Sequence, residues 1–300
     1  MNKPIEETPV PGLDPVAARR WLLQSRTVSP WLHEEVARRM VERLQWFREP
    51  PGSWMHWEPG LGGLAAHRLL TQRLPDARCL VSAEKSDAVL KGLAPGHGRR
   101  SLLPWRRPTG PTLAEADSRV AMLWANMVLH QESRPLGLLR RWHAHIEVGG
   151  FLMFSCLGPD SLRELRAVYA TQGWPPPAHD FTDMHDWGDM LVQAGFAEPV
   201  MDMERITLTY SSATAMLDEL RSFGRNLASG RFGAFRGGGW RRRLEAAIEQ
   251  FGARDEQGRL CLEFEVIYGH AFKAAPRAMR GDSQSVSVDE MRAMLRGRRP

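Results

Sequence analysis

Apolar residues along this chain follow two rhythms. Between Trp31 and Phe47, the positions Trp31, Val36, Met40, Leu44 and Phe47 recur at steps of three to five with charges between them, the spacing of one helical face. Helical spacing begins near Pro15, and Pro50-Pro51-Gly52 closes the second helix. Elsewhere the apolar residues run together. Trp54-Met55-His56-Trp57, Cys79-Leu80-Val81-Ser82, Val120 to Asn126 and Phe151 to Leu157 are short continuous runs, the pattern of strands buried on both faces. Helices are predicted between them over Leu64–Leu74, Pro135–His145, Ser161–Tyr169 and His185–Ala194, with Gly149-Gly150, Trp174–Ala178 and Gly195 as breaks. Strands near Val200–Tyr210 and Leu262–Lys273 enclose a mainly helical insertion from about Ser211 to Gly258, and Gly92 to Pro111 gives no readable pattern.

Strands that alternate with helices predict an α/β fold, a doubly wound parallel sheet covered on both faces. Ligands of such sheets sit beyond the carboxyl ends of the strands. That gathers Glu58–Gly63, the residues after Ser82, Asn126 and the Leu157–Asp160 loop around one crevice.

Composition narrows the classes. In 300 residues, 43% hydrophobic and 25% charged is ordinary for a soluble globular protein, and no apolar run approaches the ~18 residues of a membrane span. The first residues carry Glu6 and Glu7 and no apolar core, so no signal peptide is expected. Cys79, Cys156 and Cys261 lie apart among apolar neighbours, which suggests buried thiols in a reducing compartment and a cytoplasmic address. The net charge of +5 owes much to the last two dozen residues, six arginines against three acids, which read as a flexible basic tail. The remainder holds 34 Lys and Arg to 32 Asp and Glu with no sustained basic stripe, so nucleic acid is not an expected partner. The expected organisation is a flexible stretch over 1–14, one domain over 15–276 and the tail over 277–300.

Several segments resemble the class I S-adenosylmethionine-dependent methyltransferases, and most closely the malonyl-acyl-carrier-protein O-methyltransferases of biotin synthesis. They are Leu123-Trp124-Ala125-Asn126-Met127, Gly149 to Leu162, Asp183 to Leu191, Ala194-Gly195-Phe196, Asp202 to Thr207, and Glu265-Val266-Ile267-Tyr268-Gly269-His270. The resemblance implies a Rossmann-like seven-stranded methyltransferase sheet with a helical lid. It also implies S-adenosylmethionine as cofactor and an acyl carrier protein or acyl thioester as partner.

In that family an acid followed by a G-x-G-x-G loop ends the first strand; here the segment is Glu58-Pro59-Gly60-Leu61-Gly62-Gly63-Leu64, with a proline after the acid and Leu64 at the third glycine's place. The resemblance puts Ala83 where the second strand's ribose-gripping acid belongs, with Glu84 one residue on. It puts Arg99, four residues before Leu103-Pro104-Trp105, where an acid belongs near the adenine. It makes Glu58, Gly60, Gly62, Glu84 and Asn126 the cofactor-site residues, Asn126 facing the reaction centre. The substitutions imply weakened or lost cofactor binding. Two readings follow: a methyltransferase with a modified pocket, or a non-catalytic relative that keeps the fold and the carrier-protein contact.

Arginines crowd the insertion among Phe223, Phe232, Phe235 and Trp240. With the resemblance, Arg225, Arg231 and Arg236 become candidates for contact with substrate or an acidic carrier protein; without it they are a solvated helix face. Methyl transfer to a carboxylate needs positioning more than proton transfer, so the lack of a catalytic triad excludes nothing. His143 and His145 point different ways on one helix and make a poor metal pair. Asp183, His185, Asp186 and Asp189 read as a capped helix start, and Cys156 as a core residue.

Overall fold

The computed structural model describes residues 10–24, 26, 28–84, 86–93, 111–234 and 236–275. Seven strands form one sheet in the order β3-β2-β1-β4-β5-β7-β6. They are β1 (Ser53–Trp57), β2 (Arg78–Ser82), β3 (Thr112–Leu113), β4 (Val120–Ala125), β5 (Ile146–Leu157), β6 (Ala197–Tyr210) and β7 (Leu260–Phe272). The first five run parallel, with Met55 of β1 paired to Leu80 on one side and Leu123 on the other. β7 lies antiparallel between β5 and β6, Leu157 opposite Val266 and Tyr210 opposite Leu260.

Alternate side chains of each strand enter different cores. Trp54, Met122, Trp124, Phe151 and Met153 face α2 (Trp31–Glu42), α4 (Leu64–Arg73), α7 (Arg163–Thr171), α9 (Ala213–Phe223) and α10 (Gly238–Phe251). Met55, Leu123, Ala125, Leu152 and Phe154 face α1 (Pro15–Leu22), α6 (Pro135–His145) and α8 (Met184–Gln193). Both faces are therefore covered, as the continuous apolar runs require. The insertion predicted between the two antiparallel strands contains α9 and α10, joined by Ala213 N–H and Thr214 donating to Glu249 and Glu245 at 2.7 and 3.2 Å, and by Arg241 bridging Asp218 and Glu245.

Several boundaries differ from the sequence reading. β5 begins at Ile146, and the Gly149-Gly150 pair read as a break is an irregularity inside it. Gly149 sits at φ +83°, and a Cβ on Gly150 would lie 2.6 Å from the Ala121 carbonyl oxygen, so this part of the strand favours glycine at both positions. Two elements went unread: α5 (Ser86–Leu93), and β3, a pair of residues whose three-dimensional place depends on β2 alone. Asp183 does cap α8, accepting from His185 N–H at 2.7 Å.

The N-terminal segment is tied to the insertion. Asp14 caps α1 through Val16 and Ala17 N–H at 2.8 and 3.1 Å, with Pro15 at the first helical position. The same carboxylate pairs with Arg231 at 2.6 Å, while Asp14 N–H donates to the Leu227 carbonyl and Ser229 N–H to the Gly12 carbonyl, each at 2.8 Å. Segments 10–22 and 227–231 thus close over the carboxyl ends of the strands as one layer. No helix among the described residues is long and apolar enough to cross a membrane.

Candidate active site

The carboxyl ends of β1, β2 and β4 meet where the Glu58–Gly63 segment leaves the sheet. Glu58 adopts φ +50°, an uncommon left-handed conformation for a side-chain-bearing residue. Its N–H donates to the Ser82 carbonyl at 2.7 Å, its carbonyl accepts from Leu61 and Gly62 N–H, and α3 (Pro59–Gly62) follows as a single turn. Its carboxylate accepts from Glu84 N–H at 2.7 Å. Burial pushes that carboxyl up to about 7, and among the described residues it has no ion-pair partner.

The glycines serve packing inside the chain. A Cβ on Gly62 would lie 3.1 Å from the Asn126 carbonyl oxygen and 3.2 Å from His56 Nε2; one on Gly60 would meet Val89 at 3.3 Å. Gly63, at φ +129°, lies against the Glu34 carboxylate. The first amides of α4 are satisfied from α2 and the residues before it: Leu64 N–H by Ser29 Oγ at 2.7 Å, Ala65 and Ala66 N–H by Glu34 at 2.9 and 2.8 Å. The close backbone approach expected for a ligand is made instead to Asn126, His56 and Glu34. Asn126 is fully buried; its amide donates to the His33 carbonyl at 2.8 Å and to the Gly62 carbonyl, and accepts from Ser155 Oγ at 2.6 Å. It clamps the loop from beneath and does not face the crevice, a correction to its expected placement.

Two cavities lie near this loop, and the smaller borders it directly. The smaller, about 240 Å³, is lined by Glu58 and Glu84 from the strand ends, by Arg19 and Trp21 of α1, and by Trp57 and Gln131. Glu84 holds Arg19 at 2.7 Å. Ala83, at the expected ribose position, packs against the apolar cluster of Leu64, Val81, Val89 and Leu93, so the acid next to it is the one turned to the cavity. Arg99 and Leu103-Pro104-Trp105 lie outside the described residues.

The larger cavity, about 510 Å³, opens between the sheet and the insertion; Leu162, Leu165, Phe181, Phe223 and Leu244 give it apolar walls, and Tyr169 and Trp240 stand with them. Arg225 and Arg236 line it; Arg231 does not, because it is spent on Asp14. Arg225 donates to the Arg221 and Gly224 carbonyls, lies 5.3 Å from the centre of the Trp21 ring and has no acidic partner among the described residues; burial holds its pKa below the usual guanidinium range. Arg236 sits 3.6 Å over Trp240 and 4.4 Å over Phe232.

Sequence reasoning missed Arg19 and Gln131, along with three buried histidines of the larger cavity. His33 donates from Nδ1 to the Leu61 carbonyl at 2.8 Å, and burial pushes it down to about 4. His179 donates from Nε2 to the His130 carbonyl at 2.8 Å, and burial lowers both rings. Lone histidines in apolar runs carry no motif, and nothing in their spacing could have joined them.

The comparisons agree with this architecture. No family model matches the chain. A malonyl-acyl-carrier-protein O-methyltransferase of Laribacter hongkongensis is 35% identical over 263 residues, covering 83% of this chain and 85% of that one. The chain belongs to the malonyl-acyl-carrier-protein O-methyltransferase family. Another member, from Gallionella capsiferriformans, is 34% identical over 262 residues, covering 83% of this chain and 86% of that one. The solved structure of a methyltransferase-like protein from Bacillus halodurans matches with a TM-score of 0.51 at 12% identity, over 80% of this chain and all of that one, which shows the fold. Within this methyltransferase family fold, the acid-lined cavity falls at the parallel strand ends and the arginine-edged one under the insertion.

Proposed function

We propose that this protein transfers a methyl group from S-adenosylmethionine to the free carboxylate of a malonyl thioester borne by an acyl carrier protein, in the cytoplasm. The observation that carries the reading is the pairing of cavities: one with two carboxylates at the strand ends, the other apolar and edged by Arg225 and Arg236, which have no acid partner among the described residues.

The smaller cavity suits such a cofactor. Glu58 is a buried carboxyl with one hydrogen bond and no direct ion pair among the described residues, and the nearby Arg26 and Arg19 guanidiniums do not offset its burial, so a cationic ligand group beside it relieves the cost of its ionisation. Glu84 at the end of β2 supplies a second acceptor, for hydroxyl groups, once Arg19 lets go. Bound there, the cofactor supplies an electrophilic methyl group on a positively charged sulfur. Gly60 and Gly62 act by allowing the loop to sink onto Val89 and Asn126.

In the larger cavity Arg225 binds the accepting carboxylate. A guanidinium without a competing acid, at an apolar chamber, favours an anion more than it would in water. The apolar walls exclude water from the thioester arm, and Arg236 with its two aromatic neighbours meets the incoming acidic partner at the mouth. No proton has to move, since the acceptor oxygen is already anionic.

The test is mass spectrometry of a malonylated carrier protein after incubation with the protein and S-adenosylmethionine. The expected product is heavier by one methyl group and forms more slowly with Arg225→Ala. No product, with no cofactor binding up to millimolar concentration in titration calorimetry, would leave the non-catalytic reading in its place.

A further inference from the structure

Among the described residues, Gln131 is the one that lines both cavities. It stands in the short turn after β4, between Trp21 on the cofactor side and His130 on the substrate side. Trp21 Nε1 and Gln131 Oε1 are 2.5 Å apart, and Gln131 Nε2 lies 3.2 Å from His130 Nε2. The two ends of an amide usually look alike, but here the partner decides. An indole nitrogen can only donate, so the atom facing Trp21 is the oxygen and the NH2 group faces His130. His130 then accepts at Nε2 and carries its proton on Nδ1, the ring atom buried without a partner among the described residues. Trp21 is itself pinned, 4% exposed and covered by the Arg26 guanidinium at 4.0 Å.

We infer that Gln131 is a positioning residue at the junction of the two cavities, its amide fixed with the acceptor end toward the sulfonium side and the donor end toward the carboxylate side. The inference rests on the assignment of cavities proposed above. In the reaction the carboxylate oxygen forms a bond to the methyl carbon, the carbon–sulfur bond breaks with its electron pair going to sulfur, and no proton is exchanged. Two charges of opposite sign approach and cancel. An amide aligned along that line favours binding of each charged group at its own end, and a reversed amide would repel both; because the charges cancel as the bond forms, its effect is on binding and orientation. Trp21 thus acts through Gln131, by fixing which end points where.

The test measures binding first. Calorimetry on the full-length protein gives dissociation constants for S-adenosylmethionine and for its uncharged demethylated product. In Gln131→Leu the preference for the charged ligand over the uncharged one drops about tenfold relative to wild type, and in Trp21→Phe it drops by less, with thermal melting unchanged. Gln131→Glu turns a negative charge toward the sulfonium and so keeps or strengthens the preference. It sets a carboxylate against the substrate carboxylate, so its methyl transfer falls and recovers as pH is lowered toward the carboxyl range, a profile that a packing defect does not produce. An unchanged preference in Gln131→Leu overturns the inference. A wild-type protein that binds both ligands but forms no methyl ester overturns the proposed function, while a shifted ratio in Gln131→Leu still supports the orientation of the amide.

Discussion

Glu58 shows how one backbone strain and one desolvated group define a chemical preference. Its left-handed backbone turns the carboxyl inward, where burial raises it from 4.5 to about 7. A bound cation favours the ionised form, so cofactor affinity rises with pH through about 7 and levels off above it. Glu58→Gln removes that dependence and lowers affinity at pH 8 by at least tenfold. Calorimetry of both proteins at pH 6, 7 and 8 checks this, and equal slopes would sink it. Arg225 is the matching group opposite. Without its guanidinium the Michaelis constant for the malonyl thioester rises ten- to a hundredfold, while Arg225→Lys, which keeps the charge and loses the bidentate geometry, falls between. A loss confined to turnover would place the carboxylate elsewhere.

At the scale of elements, α1 couples the two cavities. It covers the cofactor side through Arg19 and Trp21, and its capping residue Asp14 grips Arg231 of the insertion. Asp14→Ala removes both a helix cap, worth about 1 kcal/mol, and a half-exposed ion pair worth less. It should loosen α1 and weaken cofactor and thioester binding together, by about three- to tenfold each; limited proteolysis should cut within 15–24 sooner than in wild type. Arg231→Ala leaves the cap in place and should affect thioester binding more. Sequence alone located the helix from Pro15 but gave no sign of this coupling, because Asp14 and Arg231 are joined only by the fold. The same division runs through the rest of the chain. Period and breakers sufficed for β1, β2, β4 and for α4, but not for α5; the strands' burial on both faces is a local pattern. They failed for β3 and for the start of β5, where pairing partners decide, and for Asn126, whose polar side chain at a strand end reads as exposed until the loop is seen to sit on it.

For the whole molecule, the buried histidines set the response to acid. His33, His56, His67, His130 and His179 are all nearly inaccessible, and burial lowers each. His56 and His67 face each other through Nδ1 at 3.2 Å, so one donates and the other accepts, and the accepting ring has to stay neutral. A depressed folded pKa gives stability that is present above 6.5 and lost as pH falls toward the folded value. For His33 and His67, each lowered to about 4, that amounts to about 3 kcal/mol at full protonation. Glu58 acts in the other direction: its raised pKa gives stability present below 4.5 and lost as pH rises through about 7, also about 3 kcal/mol. Five groups oppose one, so the net effect is destabilisation on acidification. Urea midpoints should stay nearly level from pH 8 to 7, fall between pH 6.5 and 5, and drop further toward pH 4. His33→Gln, which can still donate to the Leu61 carbonyl, should flatten the slope in that window. A midpoint that holds or climbs down to pH 5 would mean that these rings are solvated well enough to protonate without unfolding the layer they support.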